Sequence, residues 1–343
     1  MIAARFVATG RPPEVREVDR PGVTAPRDVL VRVAAAGICR TDLHVLDGVS
    51  PLQPPPAPPF TLGHETSGWV EEVGPQVTRV RPGDPVLLHP AIACGTCVPC
   101  RSGQDMYCAA LRFPGLDGSD GGYAEYVRTS ESACVPLSRS SDLISAAPLA
   151  DAGLTAYHAV RRIAGVVGPG SVILVVGVGG LGHLGVQCVR QLTGARLLAV
   201  DPSPERLDAA VQFGAEPIQG STTADRASAV DRATRGQGVD VVLDFVGEGD
   251  TPEFGVRCLR RGGTYSVVGY GGALEVPTVA MVTRELRLQG NFVGTYSDLV
   301  ELVALYERGR IDVRTDRAKL REAPTAVQAL RDGRPLGRIV LVP

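Results

Sequence analysis

The residues best suited to chemistry fall in three places along the chain. The first is Gly63-His64-Glu65, where an imidazole and a carboxylate stand side by side. With Cys39 far before it and Asp151 far after it, His64 is read as one corner of a metal site. Thiolate, imidazole and carboxylate are the donor types of a catalytic zinc, which takes three protein ligands and keeps a fourth position open. Polar groups follow the cysteine directly, in Cys39-Arg40-Thr41-Asp42-Leu43-His44. Taken alone, Asp42 also suits a helix cap or a turn. The second place is Cys94-Gly95-Thr96-Cys97-Val98-Pro99-Cys100, closed by Cys108. Two overlapping Cys-x-x-Cys steps and a fourth thiolate surround one tetrahedral ion and leave no open position, so a metal here is structural.

The third place is Gly177-Val178-Gly179-Gly180-Leu181-Gly182. It follows the apolar run 171–176, opens a helical stretch to about residue 192, and precedes a second apolar run, 197–200, that ends at Asp201. Strand, glycine turn, helix, strand and acid in that order form the dinucleotide-binding fingerprint. Gly177 permits the turn, Gly179 admits the pyrophosphate, and Gly182 lets helix and strand pack closely. The free N–H groups at the helix start meet the phosphates. Asp201 would accept hydrogen bonds from the adenosine ribose and repel a 2′-phosphate, which predicts NAD rather than NADP.

The elements that must position these groups divide the chain. Residues 1–152 read as short strands joined by Gly and Pro turns, at 29–33, 69–73 and 86–88. Six prolines between Val49 and Phe60 forbid helix and central strand, and that loop is a candidate wall of the substrate pocket. Residues 153–292 alternate strands and helices and predict a doubly wound, six-stranded parallel sheet. Residues 293–343 hold an amphipathic helix at 297–308 and a terminal strand at 336–342, and are expected to pack back on the first region. The chain has 343 residues, which favours two domains. A net charge of −2 gives no electrostatic reason to expect nucleic acid or an anionic membrane. No apolar run approaches the ~20 residues of a membrane span and no secretory signal is visible, so a cytoplasmic location is expected. His89, His158 and His183 read as structural, Trp69 as core, and Cys134, Cys188 and Cys258 as small buried hydrophobes.

These motifs, in this order and over the whole length, resemble the zinc-containing medium-chain alcohol dehydrogenases. The segment 148–157 around Asp151 is similar to the third-ligand segment of bacterial NAD-dependent secondary-alcohol dehydrogenases. The resemblance implies an α/β architecture: a Rossmann domain inserted in a β-rich, GroES-like catalytic domain. It implies a catalytic zinc on Cys39, His64 and Asp151, the last being cysteine in many relatives, and a structural zinc on Cys94, Cys97, Cys100 and Cys108. Two zinc ions per chain, NAD and a homo-oligomer are expected. Asp42 would orient His64 as its outer partner, and Glu65 could serve as a transient fourth ligand. Backbone groups of Val268, Asn291 and Val293 would hold the nicotinamide carboxamide. Arg206 would lie near the adenosine ribose and Arg338 near a phosphate, with Val246 a further cofactor contact.

The chemistry implied is reversible hydride transfer between a small-molecule alcohol or ketone and NAD. Zinc would lower the pKa of the alcohol. The proton would leave by the Thr41 hydroxyl, the nicotinamide ribose and His44, whose imidazole releases it near neutral pH. The expected substrates are secondary alcohols. The alternative is a biosynthetic reductase of the same fold acting on a specialised carbonyl compound.

Overall fold

The structure is a computed structural model that describes residues 1–49 and 57–343. Most of the proline loop anticipated as a pocket wall, 50–56, lies outside the described residues. The chain forms two compact units, Met1–Leu154 with Thr295–Pro343, and Thr155–Gly294.

In the first unit the long strand Asp28–Gly37 is the organising element. It pairs antiparallel with Glu65–Val73 on one side, and with Tyr126–Ser130 and the C-terminal strand Arg338–Val342 on the other. Pro85–Leu88 and Cys134–Pro136 extend the sheet beyond Glu65–Val73, and Thr315–Lys319 closes the opposite edge, making seven strands among the described residues. Val29, Val31 and Val33 alternate onto one face and meet Val70, Val86 and Val127 in an apolar core. Trp69, expected in the core, is instead half-buried, with the Arg32 guanidinium 4.4 Å above its ring. An aromatic ring on a strand face can be covered by a cation in place of apolar neighbours.

The second unit is a parallel sheet of six strands among the described residues. Their order is Glu216–Pro217, Arg196–Val200, Val172–Val176, Val239–Asp244, Leu259–Val267 and Arg287–Gly290. Ile173, Leu174 and Val175 are fully buried, as a strand covered on both faces requires. Strand order reverses beside Val172–Val176, so this strand's carboxyl end is the switch point where open α/β sheets take their ligands. Two-residue Glu216–Pro217 is too short to leave an apolar signature, and its residues are exposed. Helix Thr278–Arg284 also escaped notice, since it presents no buried face. Among the described residues, no helix is long and apolar enough to cross a membrane.

Candidate active site and cofactor site

Cys39 follows the long strand directly and occupies the N-cap position of helix Arg40–Leu46. Its backbone N–H donates to Asp42 Oδ2 at 2.8 Å, so Asp42 is also the capping acid of the helix. Gly63 brings the chain to His64 with φ +100°, and a Cβ there would fall 2.3 Å from the Tyr123 ring. Glycine is therefore required by both backbone angle and space. Asp151 lies between the short helical turn Ala147–Ala150 and helix Ala152–Ala164.

These segments bring Cys39 Sγ within 3.6 Å of Asp151 Oδ2, and His64 Nε2 within 3.4 Å of the same oxygen. All three donor atoms lie within 4.8 Å of one another, and all three residues are buried. His64 Nδ1 faces Asp42 Oδ1 at 3.4 Å. Burial alone would depress the His64 pKa, but Asp42, Asp151 and Cys39 together raise it well above the usual imidazole value. Burial likewise works against the Asp151 carboxylate, yet His64, Arg338 and Cys39 hold it below its ordinary range. A cluster with these shifts attracts positive charge at its centre, and a divalent cation fits the donor set as well as a proton does.

The four-cysteine loop forms the other cluster. Cys97 and Cys100 sulfurs are 3.4 Å apart, Cys94 and Cys100 sulfurs 4.0 Å, and the four thiols mutually within 4.8 Å. Zn–S bonds of about 2.3 Å in a tetrahedron require sulfurs roughly 3.8 Å apart, so the spacing suits zinc. Hydrogen bonds from Thr96 and the backbone bring the Cys94 thiol down to about 5, while burial and Cys97 push Cys100 up to about 12. All eight cysteines are free. Cys134, Cys188 and Cys258 are buried away from both clusters, and burial pushes each to about 12, as inert thiols should be.

In the second unit Gly177 has φ +82°, and a Cβ on Gly182 would fall 1.8 Å from the Gly177 carbonyl. Around Gly179 the nearest atoms belong to the Arg206 guanidinium, 3.9 Å from an added Cβ. The turn is thus closed against the strand at Gly177 and Gly182, but bordered at Gly179 only by a flexible cation. Gly180 and Leu181 complete it before helix Gly182–Leu192. Asp201 Oδ2 accepts the Val178 N–H at 2.8 Å and Oδ1 accepts the Ser203 N–H at 2.9 Å, with Arg206 Nη1 at 3.8 Å.

Known proteins share this arrangement. Residues 25–139 match the alcohol dehydrogenase GroES-like domain family, and residues 180–308 the zinc-binding dehydrogenase family. An NAD-dependent alcohol dehydrogenase of Saccharolobus solfataricus is 34% identical over the whole of both chains. The chain belongs to the zinc-dependent medium-chain alcohol dehydrogenases. Its fold is that family's GroES-like domain and Rossmann domain, and it is an oxidoreductase with zinc and NAD as cofactors. The solved alcohol dehydrogenase of the hyperthermophilic archaeon Aeropyrum pernix superposes with TM-score 0.96, at 42% identity and full coverage of both chains. The acetophenone reductase of Geotrichum candidum, solved with NAD, superposes at 0.89, with 29% identity over all of this chain and 97% of the other.

In this dehydrogenase Thr41 and His44 sit one turn apart on helix Arg40–Leu46, a spacing that shares a helix face. Val268 and Asn291 donate their N–H groups internally, to Asp244 and Val267, so what their backbones can offer a ligand is carbonyl oxygen. Val293 has φ +49°, a costly angle for a β-branched residue and the kind of outlier that gathers at ligand sites. Arg338 is buried and donates through Nε to Glu65 Oε2 at 3.0 Å and through Nη2 to Oε1. Sequence reasoning assigned Arg338 to a cofactor phosphate and missed this pairing. Glu65 Oε1 also accepts the Ala152 N–H at 3.1 Å, which ties it to the residue after Asp151.

Tyr123 is a second omission. It is fully buried and donates its hydroxyl to Asp42 Oδ2 at 2.6 Å. Burial first, then the Asp42 charge, raises its pKa well above the phenolic value, so it stays a donor. A tyrosine in an undistinguished Gly-Gly-Tyr-Ala stretch carries no spacing signal for this role.

Proposed function

We propose that the enzyme interconverts secondary alcohols and ketones with NAD, using two zinc ions per chain. One zinc is held by Cys39, His64 and Asp151 and the other by Cys94, Cys97, Cys100 and Cys108. The observation that carries the reading is the convergence of thiol, imidazole and carboxylate donors around one buried point. When bound there, zinc supplies a Lewis acid for the substrate oxygen. Asp42, whose Oδ1 lies 3.4 Å from His64 Nδ1, would take that N–H and leave Nε2 for the metal. Thr41 would relay the substrate proton, taking it up while giving its own hydroxyl proton onward toward His44, which releases it to water near neutral pH. Arg338 keeps Glu65 in place as a charged neighbour of the ligand set. In the other unit the glycine turn receives the pyrophosphate and Asp201 the adenosine ribose, with Arg206 beside it. Two carbonyl oxygens, from Val268 and Asn291, and the N–H of Val293 would complement the two donors and one acceptor of a carboxamide.

The acetophenone reductase supports ketone and secondary-alcohol substrates, since it is a whole-length structural neighbour. We further propose a homo-oligomer in a reducing cytoplasm. Val279 and Val282 on helix Thr278–Arg284, and Leu288 and Phe292 at or just after strand Arg287–Gly290, are exposed, and clustered free thiols suit a reducing compartment. An initial-rate screen of secondary and primary alcohols and ketones with NAD and NADP tests the substrate and cofactor assignments. Activity confined to one elaborate carbonyl compound would favour a biosynthetic reductase. Cys39→Ser should abolish turnover and halve the zinc content by elemental analysis. Full activity in that variant, or complete loss of zinc, would sink the two-site assignment.

A further inference from the structure

Asp244 ends the strand Val239–Asp244 and is fully buried. Its Oδ1 accepts the N–H groups of Val246 and Gly247, at 2.8 and 2.9 Å, and its Oδ2 accepts the Tyr265 hydroxyl at 2.6 Å. The Asp244 carbonyl accepts the N–H groups of Val268 and Gly269, at 2.8 and 3.1 Å. One residue therefore anchors two loops, 245–247 and 268–269. Burying a carboxylate is costly, and a chain turn alone does not call for it.

The two loops are packed at glycine distance. A Cβ on Gly247 would fall 2.0 Å from the Gly269 carbonyl, and one on Gly269 would fall 2.3 Å from the Val246 carbonyl. Val246 in turn presses on the phosphate turn, since its Cγ2 lies 2.4 Å from where a Gly177 Cβ would stand. A cavity of about 280 Å³ opens on these loops, lined by Gly247, Tyr265, Val268, Tyr270 and Asn291. Tyr265 is itself buried, and its hydroxyl donates to the Asp244 carboxylate.

We infer that Asp244 and Tyr265 form a positioning pair that sets the two loops receiving the nicotinamide end of the dinucleotide. The inference rests on the NAD-binding reading above. Carboxylate oxygens can satisfy two amide donors and a phenol at once. An asparagine can keep the two amides on its Oδ1 but turns an NH2 toward Tyr265. Tyr265→Phe removes one bond and leaves the Asp244 charge, and Asp244→Asn is the conservative partner change.

The test compares the binding of NADH with that of ADP-ribose, which lacks the nicotinamide ring, by calorimetry on the zinc-loaded protein. The bond lies within the protein, so only the lost positioning of the loops reaches the dissociation constant, and NADH should weaken about three- to tenfold in Tyr265→Phe. ADP-ribose should change by less than about twofold, because its phosphate and ribose contacts lie on the glycine turn and Asp201. Asp244→Asn should show the same selective loss. Equal weakening of both ligands, or unchanged NADH affinity in both variants, would overturn the inference. Wild-type protein that bound ADP-ribose but not NADH would instead remove the NAD reading on which it rests.

Discussion

His64 has an acidic neighbour at each ring nitrogen, Asp42 at Nδ1 and Asp151 at Nε2, and a buried tyrosine holds the first of these acids. With zinc on Nε2, the Asp42 carboxylate 3.4 Å away would keep the remaining ring proton on Nδ1. Outer partners of this kind change metal affinity by about 10- to 100-fold when removed. Asp42→Asn should therefore raise the apparent zinc dissociation constant of the Cys39 site by that factor in chelator competition. Zinc held by the four cysteines should be unaffected. Equal affinity in variant and wild type would mean that the 3.4 Å pair does not orient the ring. Cys39 and His64 stand out in the sequence because thiols and imidazoles are few, whereas Asp151, one of many acids, was legible only through the resemblance of its segment to the family. Tyr123 and the Glu65–Arg338 pair were not legible. Their partners are far away in sequence, and a buried tyrosine or arginine looks like any other until the sheet places it.

At the scale of elements, strands with two-sided or periodic burial and the cofactor helix were legible, whereas helices Arg40–Leu46 and Ala152–Ala164, which flank Cys39 and Asp151, were not anticipated. The run 171–176 and the glycine turn after it fall where the pattern put them, and helix Tyr296–Glu307 begins one residue before its expected start. Glu216–Pro217 was not legible, because two exposed residues at a sheet edge have no period. The turns are held by side chains as much as by pattern. Glu131 Oε1 accepts the N–H groups of Thr78 and Arg79, at 2.5 and 2.6 Å, and pins the turn 78–79 beside the sheet. Burial works against this carboxylate, but the two amides, the Thr78 hydroxyl and Arg27 hold its pKa below the ordinary glutamate value. A depressed folded-state pKa contributes stability above the unfolded value of about 4.3 and loses it as pH falls through the folded one. Denaturation midpoints should thus drop as pH is lowered below about 4.3, and Glu131→Gln should flatten that part of the profile. A variant profile parallel to the wild type would discount the turn as a source of acid sensitivity.

At the scale of the whole molecule, the two proposed metal clusters would divide their tasks by coordination. Four thiols saturate an ion, whereas three donors leave room for substrate. Removing a thiol from the saturated cluster should damage folding before it damages chemistry. Cys100→Ser is expected to lose one zinc by elemental analysis and to lower the thermal midpoint. Its initial kcat below that midpoint should stay within about twofold of wild type, because a structural metal contributes folding energy and not a substrate position. A large fall in kcat with an unchanged midpoint would reverse the roles of the clusters. The four-cysteine loop is tied to the rest of its unit by Asp105, whose carboxylate oxygens accept the Tyr296 N–H at 3.1 and 3.3 Å. Metal loss should therefore be felt at the start of helix Tyr296–Glu307.

The long strand Asp28–Gly37 pairs with Arg338–Val342, so the metal-bearing unit is sewn from both ends of the chain. On the ribosome the parallel-sheet unit between them emerges entire while that seam is still open. Domains generally fold as they are made, from the N-terminal side. Here the strand Asp28–Gly37 must wait for one made after the whole parallel-sheet unit. Until Arg338 leaves the exit tunnel, Glu65 has no guanidinium to meet it, and the pocket beside Asp151 holds an unmatched acid. Completion of the metal pocket is thereby deferred until Arg338 has been made, and a nascent chain released before it would carry a finished nucleotide fold and an unfinished metal pocket.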